Sequence, residues 1–318
     1  MIAYTLRRVL LALSLVWAVS LVAFVGFGLS FDPLYSFNLC GEQCRPQKEA
    51  LARQFHLHAP IMDRYWLWLS GLFRHGFGQR VLPSFRIPGM EIGPAVFRAL
   101  GVSAQLMATA LVLTLVFSVV IGVTSARRPG TPPDVVLRLL AYVSWAMPTF
   151  LTGIVLWRLL GGTGWFFLGS PGGGFTHWLR TMTLPAVTLS LGLIGAYSRY
   201  IRTATLTELR QPYAVVARSK GLTENRVAYR HALRNALVPF VGVLSLDITA
   251  IVGASLAADF VFRMGGLAFL FLDSLSDADP FAMTAVVVIV GAVVAIFELF
   301  GDLALGWLDP RLRIGTSA

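Results

Sequence analysis

The sequence predicts an all-α membrane protein with six transmembrane helices, and three observations carry this prediction. Of the 318 residues, 56% are hydrophobic and 13% are charged, against about 25% charged residues in typical soluble domains. The hydrophobic residues gather into six runs, each long enough to cross a bilayer core of about 30 Å as a helix of roughly 20 residues. Finally, most basic residues of the short connecting loops and termini fall in segments that would lie on the same side of the membrane.

The six runs follow one another along the whole chain. They cover residues 9–29, 100–125, 137–160, 181–198, 237–258 and 281–305. The first run has 21 residues, whereas the apolar part of a cleaved signal peptide has about 7–15. We therefore expect the first run to remain in the protein as a transmembrane helix.

The distribution of basic residues predicts the orientation in the membrane. Short loops on the side of the two termini hold 15 Lys and Arg residues, and short loops on the opposite side hold three. Because basic residues in short loops stay in the cytoplasm, residues 1–8 and 306–318 are expected to be cytoplasmic. The segment 30–99 is then extracytoplasmic, and the core 100–305 holds the other five helices. This orientation explains the net charge of +10 without a nucleic-acid partner.

The sequence contains no motif for ATP hydrolysis or for another enzymatic reaction. A phosphate-binding loop ends in Gly-Lys-Ser/Thr, but Lys48 precedes Glu49 and Lys220 precedes Gly221, and these are the only lysines. Neither H-E-x-x-H nor G-x-S-x-G occurs. We therefore expect no catalytic residue in this chain.

Both cysteines lie in the extracytoplasmic segment, together with the closely spaced pair His56 and His58. The spacing of His56 and His58 does not match a zinc site, where the two histidines stand about three to five residues apart. No metal site is therefore predicted. Cys40 and Cys44 are the candidate disulfide, since an oxidising compartment permits it; two free thiols are the open alternative.

Three carboxylates fall within the predicted spans. Asp247 lies in the middle of the fifth, and Glu298 and Asp302 lie on one face of the sixth. Such groups must face protein or water, and a proton- or ion-coupled secondary carrier would use them. The alternative for the last two is a position near the cytoplasmic membrane surface, beside Arg311 and Arg313.

The longest cytoplasmic loop, 199–236, is predicted to hold two helices joined at Gly221. The first covers TATLTELRQPYAVVARSK and the second TENRVAYRHALRNAL. Gly221 suits the left-handed conformation that ends many helices, and Thr223 suits the start of the next helix. In the second helix, the members of a basic row and of a small-residue row each repeat every four residues, so each row lies along one side. The two rows are offset by two residues, which places them on opposite sides of the helix. The rows are Arg226, Arg230 and Arg234, and Ala228, Ala232 and Ala236.

Small residues allow close helix packing, which leaves the Arg row for a partner or for lipid headgroups. DNA binding is disfavoured, because spans at both ends of the loop leave little reach into a major groove. A loop that only maintains the membrane orientation is the simpler alternative.

The string YAVVARSKGLTENRVAYRHALRNALVPF in this loop resembles the cytoplasmic coupling loop of permeases in binding-protein-dependent ABC importers, in their oligopeptide, dipeptide and nickel branch. The resemblance extends over nearly the whole chain. Ala3–Leu11 is similar to that family's start, and His56–Gly78 to its outer-loop signature. SWAMPTFLTG at Ser144–Gly153 is similar to its third span, and LDPRLR at Leu308–Arg313 to its C terminus.

The resemblance implies the type I ABC importer permease fold in a bacterial plasma (inner) membrane. It implies one of two pore-forming subunits, paired with a second related permease, two ATP-binding subunits and an extracytoplasmic substrate-binding protein. The chain itself would hold no cofactor, since ATP and Mg²⁺ belong to the ATPase subunits. Di- or oligopeptides are the expected substrates, although nickel chelates and other solutes use this branch; a scaffold without transport is a further alternative.

The resemblance also implies which residues carry the function. The loop departs from the common Glu-Ala-Ala signature, because Val215 and Val216 precede Ala217. Asp259 is a candidate for the translocation path, where the family often has an acidic residue. Asp247 is a second candidate because it is ionisable and lies in mid-span, although polar amides are expected at its position and at Glu298. The expected ATPase-coupling residues are Ala217, Lys220, Gly221, Glu224, Arg230, His231, Ala232, Arg234, Asn235 and Pro239.

Overall fold

The computed structural model describes residues 2–35, 41–75 and 91–308, and regular structure in these ranges is helical. A π-helical turn at Val227–Ala232 joins the helical segment Glu224–Arg226 directly to the helix Leu233–Leu246. The helices are α1 (Ile2–Ser30), α2 (Arg45–Gln54), α3 (Ile61–His75), α4 (Ile92–Arg127), α5 (Pro132–Ala146), α6 (Thr149–Leu160), α7 (Phe175–Leu209), α8 (Pro212–Ser219), α9 (Glu224–Arg226), α10 (Leu233–Leu246), α11 (Ile248–Phe262), α12 (Leu267–Ser276) and α13 (Pro280–Leu308).

The long helices account for up to six membrane spans by length and composition. Four single helices pass both criteria, namely α1, α4, α7 and α13. Two bent pairs pass them when each pair is taken together, and these are α5 with α6 and the α9–α10 helix with α11. The all-helical membrane architecture predicted from the sequence is thus confirmed, but two of its spans are not straight.

The two bends have different local causes. Helices α5 and α6 meet at 108°, where Met147 is extended at φ −84° and ψ 124° before Pro148. A proline disfavours the helical conformation in the residue before it, so Pro148 explains this break. The second pair bends by 64° at Asp247, which has no proline beside it. Pro239 instead lies inside α10 without ending that helix.

The chain divides into two compact units, and the first contains residues 1–103 and 265–296. Its interior holds an aromatic group in which Phe24 of α1 packs against Tyr65 and Trp68 of α3, with ring centroids 5.6 Å apart in both cases. The Ser20 hydroxyl lies 2.9 Å from the Tyr65 hydroxyl within this group. Helix α3 is therefore fixed to α1 by packing and by a buried hydrogen bond.

The second unit contains residues 104–264 and 297–318. Within it, α10 packs on α7 through Phe240, whose ring lies 5.2 Å from Tyr197 and 5.7 Å from Tyr200, centroid to centroid. The α4 residue Val123 and the α7 residue Ile201 are buried in the same core. This unit holds the whole of loop 199–236.

Helix limits differ from the sequence prediction in two ways. Helix α4 begins at Ile92 instead of residue 100, and α7 extends beyond 181–198 at both ends, because hydropathy marks only the apolar part of a helix. The prediction of a single helix over TATLTELRQPYAVVARSK is wrong: α7 ends at Leu209 and α8 begins at Pro212. Pro212 has no N–H to continue the helix and favours the extended conformation that Gln211 adopts.

Candidate coupling site

The turn after α8 has the geometry that the sequence predicts for Gly221. This residue has φ +77°, in the left-handed region that glycine occupies without a steric penalty. The Gly221 N–H donates to the Arg218 carbonyl at 2.8 Å, and the Leu222 N–H donates to the Ala217 carbonyl at 3.3 Å. These two bonds form a Schellman motif. Thr223, at φ −65° and ψ 147°, then begins the next helix.

Arg218 holds the two sides of this turn together. Its Nε and Nη2 donate to the two carboxylate oxygens of Glu224 at 2.6 and 3.3 Å, across the turn. Its Nη1 donates to the Leu209 carbonyl at 3.0 Å, at the C terminus of α7. Hydrogen bonding to Glu224 raises the pKa of Arg218. One side chain thus connects the end of α7, α8 and the start of α9.

A second polar contact lies at the start of α8. The Tyr213 hydroxyl donates to Glu208 Oε2 at 2.5 Å. Burial, followed by this hydrogen bond, raises the pKa of Tyr213. The Asn235 amide also interacts with the phenol, which brings α10 into the same contact.

The two predicted rows lie on opposite sides of the helix that follows the turn. The three alanines, Ala228, Ala232 and Ala236, are buried. The three arginines, Arg226, Arg230 and Arg234, are exposed. Spacing by four residues therefore separated a packing face from a surface face, as the sequence indicates.

The buried row packs within the protein's own second unit. Ala228 and Ala232 share a core with Ile201 and Leu209 of α7 and with Ala214 of α8. The Tyr229 hydroxyl lies 3.4 Å from Thr124 Oγ1 at the end of α4. The position of the exposed row is thus set by contacts with three other helices.

The remaining predicted coupling residues surround the same turn. Ala217 is buried on the inner side of α8, and Lys220 is exposed directly before Gly221. His231 is partly buried, whereas Asn235 and Pro239 are exposed. The structure therefore brings the predicted set into one continuous segment, with both buried and exposed members.

The predicted path residues lie elsewhere in the second unit. Asp247 is partly buried at the break between α10 and α11, close enough to the Tyr197 hydroxyl to interact with it electrostatically. Asp259 in α11 is buried, at 1% exposure. Glu298 accepts a hydrogen bond of 3.2 Å from the Thr249 hydroxyl, which joins α13 to α11.

Some predicted residues lie outside the part of the chain whose side chains are described. These are Cys40, Arg311, Arg313 and the side chain of Asp302. The pairing of Cys40 with Cys44 consequently stays a prediction. Among residues 2–35, 41–75 and 91–308, no group of three His, Cys, Asp or Glu side chains could hold a metal ion.

Arg218 is the functional candidate that sequence reasoning missed. The available signal was a pair of opposite charges three residues before and three residues after Gly221, namely Arg218 and Glu224. A glycine that ends a helix reverses the chain direction locally, so two opposite charges this close on either side of it favour an ion pair across the turn.

Comparison with known proteins assigns the chain to a family. Residues 118–314 match the family described as binding-protein-dependent transport system inner membrane component. Residues 1–85 match the N-terminal region of membrane components of such systems. The chain belongs to this family of inner-membrane transport components.

Its relatives align over their full lengths. The oligopeptide transport system permease AppB of Bacillus subtilis is 28% identical, with 98% of this chain and 100% of the relative covered. The permease OppB of Mycobacterium tuberculosis is 31% identical, with 99% and 100% covered. Among solved structures, a chain of the MetNI methionine ABC transporter covers 68% of this chain and 95% of its own length, at 18% identity and a TM-score of 0.49.

Family membership defines the chain as a permease subunit of an ABC importer in the inner membrane. Such a subunit transports in cooperation with ATP-binding and substrate-binding proteins, and ATP hydrolysis takes place in separate subunits.

Proposed function

We propose that the chain is one of two pore-forming subunits of an ATP-driven importer of di- or oligopeptides. It pairs with a related permease, contacts two cytosolic ATPase subunits and receives substrate from one extracytoplasmic binding protein. The peptide substrate is supported by relatives whose names specify oligopeptide or dipeptide transport and which align over their full lengths. ATP and Mg²⁺ bind to the partner ATPase subunits, and the chain needs no cofactor of its own.

One observation supports the coupling role: the Arg row is exposed, the Ala row on the opposite side of the same helix is buried, and the helix follows directly after the turn at Gly221. The turn has no freedom to shift without breaking the Schellman bonds at Gly221 or the Arg218–Glu224 pair. A displacement of the exposed face by a partner is therefore transmitted to α4, α7 and α8 through the shared core. A loop that only maintained orientation would need positive charge but not this packing.

Transport then proceeds by alternating access. ATP binding brings the ATPase subunits together, and the contact with loop 199–236 favours outward access; hydrolysis resets the cycle. The contact can drive this change only if the ATP-bound ATPase binds the outward state more tightly than the inward state. Asp247 and Asp259 are the candidate residues along the path.

Reconstitution tests the proposal directly. Proteoliposomes are prepared with this permease, its partner permease, both ATPase subunits and the binding protein. We expect peptide uptake that requires ATP, persists with an uncoupler and ceases when the ATPase subunits are omitted. Uptake by this chain alone that an uncoupler abolishes would instead identify a secondary carrier.

The proposed topology places both termini and loop 199–236 in the cytoplasm, with 30–99 outside. It is tested with a Glu224→Cys variant in which Cys40 and Cys44 are replaced by serine. An impermeant thiol reagent added to intact cells should leave this cysteine unlabelled, and permeabilised cells should allow labelling. Labelling in intact cells would contradict the topology.

A further inference from the structure

A buried ion pair lies beside the coupling site, where α4, α5 and α7 meet. The Asp134 side chain in the first turn of α5 is 1% exposed, and that of Arg202 in α7 is 18% exposed. Arg202 donates from Nε to Oδ1 and from Nη2 to Oδ2 of Asp134, each at 2.9 Å. Ser125 of α4 donates to Oδ1, and the Gly130 N–H donates to Oδ2 at 2.9 Å. One carboxylate thus joins three helices.

The geometry of this pair favours a positioning role over a purely stabilising one. Removing two charges from water costs free energy that roughly offsets their attraction, so apolar side chains would serve stability as well. A bidentate guanidinium–carboxylate contact, in contrast, fixes both the distance and the orientation of the two helices. The Asp134–Arg202 pair therefore defines how α5 is held against α7.

Contacts farther along α5 maintain the same attachment. A Cβ on Gly195 of α7 would lie 2.5 Å from the Ala141 carbonyl oxygen, so only glycine permits this approach of the two helices. The Arg199 guanidinium carbon lies 4.9 Å from the ring centroid of Tyr142 and 4.5 Å from that of Trp145. Helix α5 is held to α7 over most of its length.

The C-terminal end of α5 is followed by a sharp bend in the chain. The chain bends by 108° at Met147 and Pro148, so α6 does not continue the direction of α5. At the opposite end, the residue before Arg202 is Ile201, which is buried in the core shared with Ala228 and Ala232. Helix α5 is therefore attached to the coupling site and separated from α6 by a break.

We propose that Asp134 and Arg202 are positioning residues for coupling: they fasten α5 to α7, so that displacement of loop 199–236 also moves α5 and bends the chain at Met147–Pro148. This inference rests on the proposed coupling role of the loop. It predicts that loss of the pair leaves ATP hydrolysis intact and disconnects α5 from the movement that hydrolysis drives.

The chain offers a matched control for this test. Arg138 also approaches Asp134, with Nε 3.6 Å from Oδ1, but it lies on α5 itself, four residues away. Arg202→Met removes the arginine that joins two helices, whereas Arg138→Met removes one that cannot join them. A double variant, Asp134→Leu with Arg202→Met, avoids an unpaired buried charge and replaces Arg202→Met if that variant does not assemble.

The first measurement is a distance between spin labels on α5 and α7 in the complete complex. Cysteines replace the exposed residues Leu139 and Thr207 in a background without Cys40 and Cys44. We expect one narrow distance distribution, unchanged by ATP, in the otherwise unmodified complex and in Arg138→Met. In Arg202→Met, or in the double variant, ATP should change or broaden the distribution.

The second measurement is the amount of substrate transported per ATP hydrolysed. We expect at least a tenfold decrease for Arg202→Met or the double variant, and less than a twofold change for Arg138→Met. Values equal to the Arg138→Met control in both measurements would overturn the proposal. Gly221→Val separates the two hypotheses: if it lowers this ratio and Arg202→Met does not, only the positioning role fails, and if neither lowers it, the coupling role of the loop fails.

Discussion

The two faces of the helix that begins at Glu224 differ in what surrounds them. The Ala row is buried among residues of α7 and α8, and every member is a small residue. The Arg row is exposed and carries three positive charges over two turns. One face thus determines where the helix lies within this protein, and the other determines what the protein presents to a partner.

This difference separates two kinds of defect that a substitution could cause. A change on the buried face alters packing, and it should lower stability and coupling together. A change on the exposed face leaves the packing intact, and it should affect only association with the ATPase subunits.

The largest effect is expected for Ala232→Leu on the buried face. Three additional carbon atoms in a packed core force neighbours to shift, which costs about 1–3 kcal/mol. We expect a lower melting temperature of the purified permease and loss of substrate-stimulated ATPase activity in the complex. Val238→Leu is the control, since Val238 is exposed on the same helix. An unchanged melting temperature for Ala232→Leu would show that this face is not tightly packed.

Gly221→Val is expected to have the next largest effect. At φ +77° a residue with a Cβ is strained by roughly 1–2 kcal/mol, and β-branching adds to the strain. The turn should relax by moving α9 away from α8, so substrate should no longer stimulate ATP hydrolysis while the loaded binding protein still binds. Gly221→Asn is the control, because asparagine tolerates this conformation. Equal stimulation in both variants would argue against a fixed turn.

Asp247→Leu should produce a third pattern, because Asp247 lies at the break that ends α10 and belongs to neither face. If it lines the path, peptide uptake or substrate preference changes while ATPase stimulation and assembly remain. Asp247→Asn distinguishes charge from polarity, since it keeps the shape and the hydrogen-bonding capacity. Unchanged uptake kinetics for several peptides in Asp247→Leu would assign this residue a structural role.

The parts of this arrangement that the sequence predicted depend on local rules. Helix periodicity gave the two rows, and the conformational preference of glycine gave the turn at Gly221. The break at Pro148 also follows from a local rule, although hydropathy alone predicted one span over 137–160. Local chemistry was therefore sufficient wherever one residue type restricts the backbone.

Tertiary contacts account for what the sequence could not predict. The π-helical turn at Val227–Ala232 has no distinguishing residue type, and the break at Asp247 has no proline or glycine. Asp134 and Arg202 are 68 residues apart, and no spacing rule connects them. Their pairing follows from the packing of α5 on α7, and residue patterns within a single helix do not predict that contact.

Arg230→Glu on the exposed face should have the smallest effect, and it is the most selective test of the comparison. Substitution at an exposed site changes stability by no more than about 0.5 kcal/mol, so the melting temperature of the permease should remain the same. Association with the ATPase subunits should weaken, because one positive charge of the row becomes negative. The loss should be greater at 0.1 M salt, where charges interact over about 10 Å, than at 1 M, where this distance falls to about 3 Å.

Arg230→Gln is the control, because it removes the charge without reversing it. Its association with the ATPase subunits should be intermediate between that of the unmodified chain and that of Arg230→Glu. Association that is equal for Arg230→Glu and the unmodified chain at both salt concentrations would mean that the ATPase subunits do not contact the Arg row, and loop 199–236 would then be explained by membrane orientation alone.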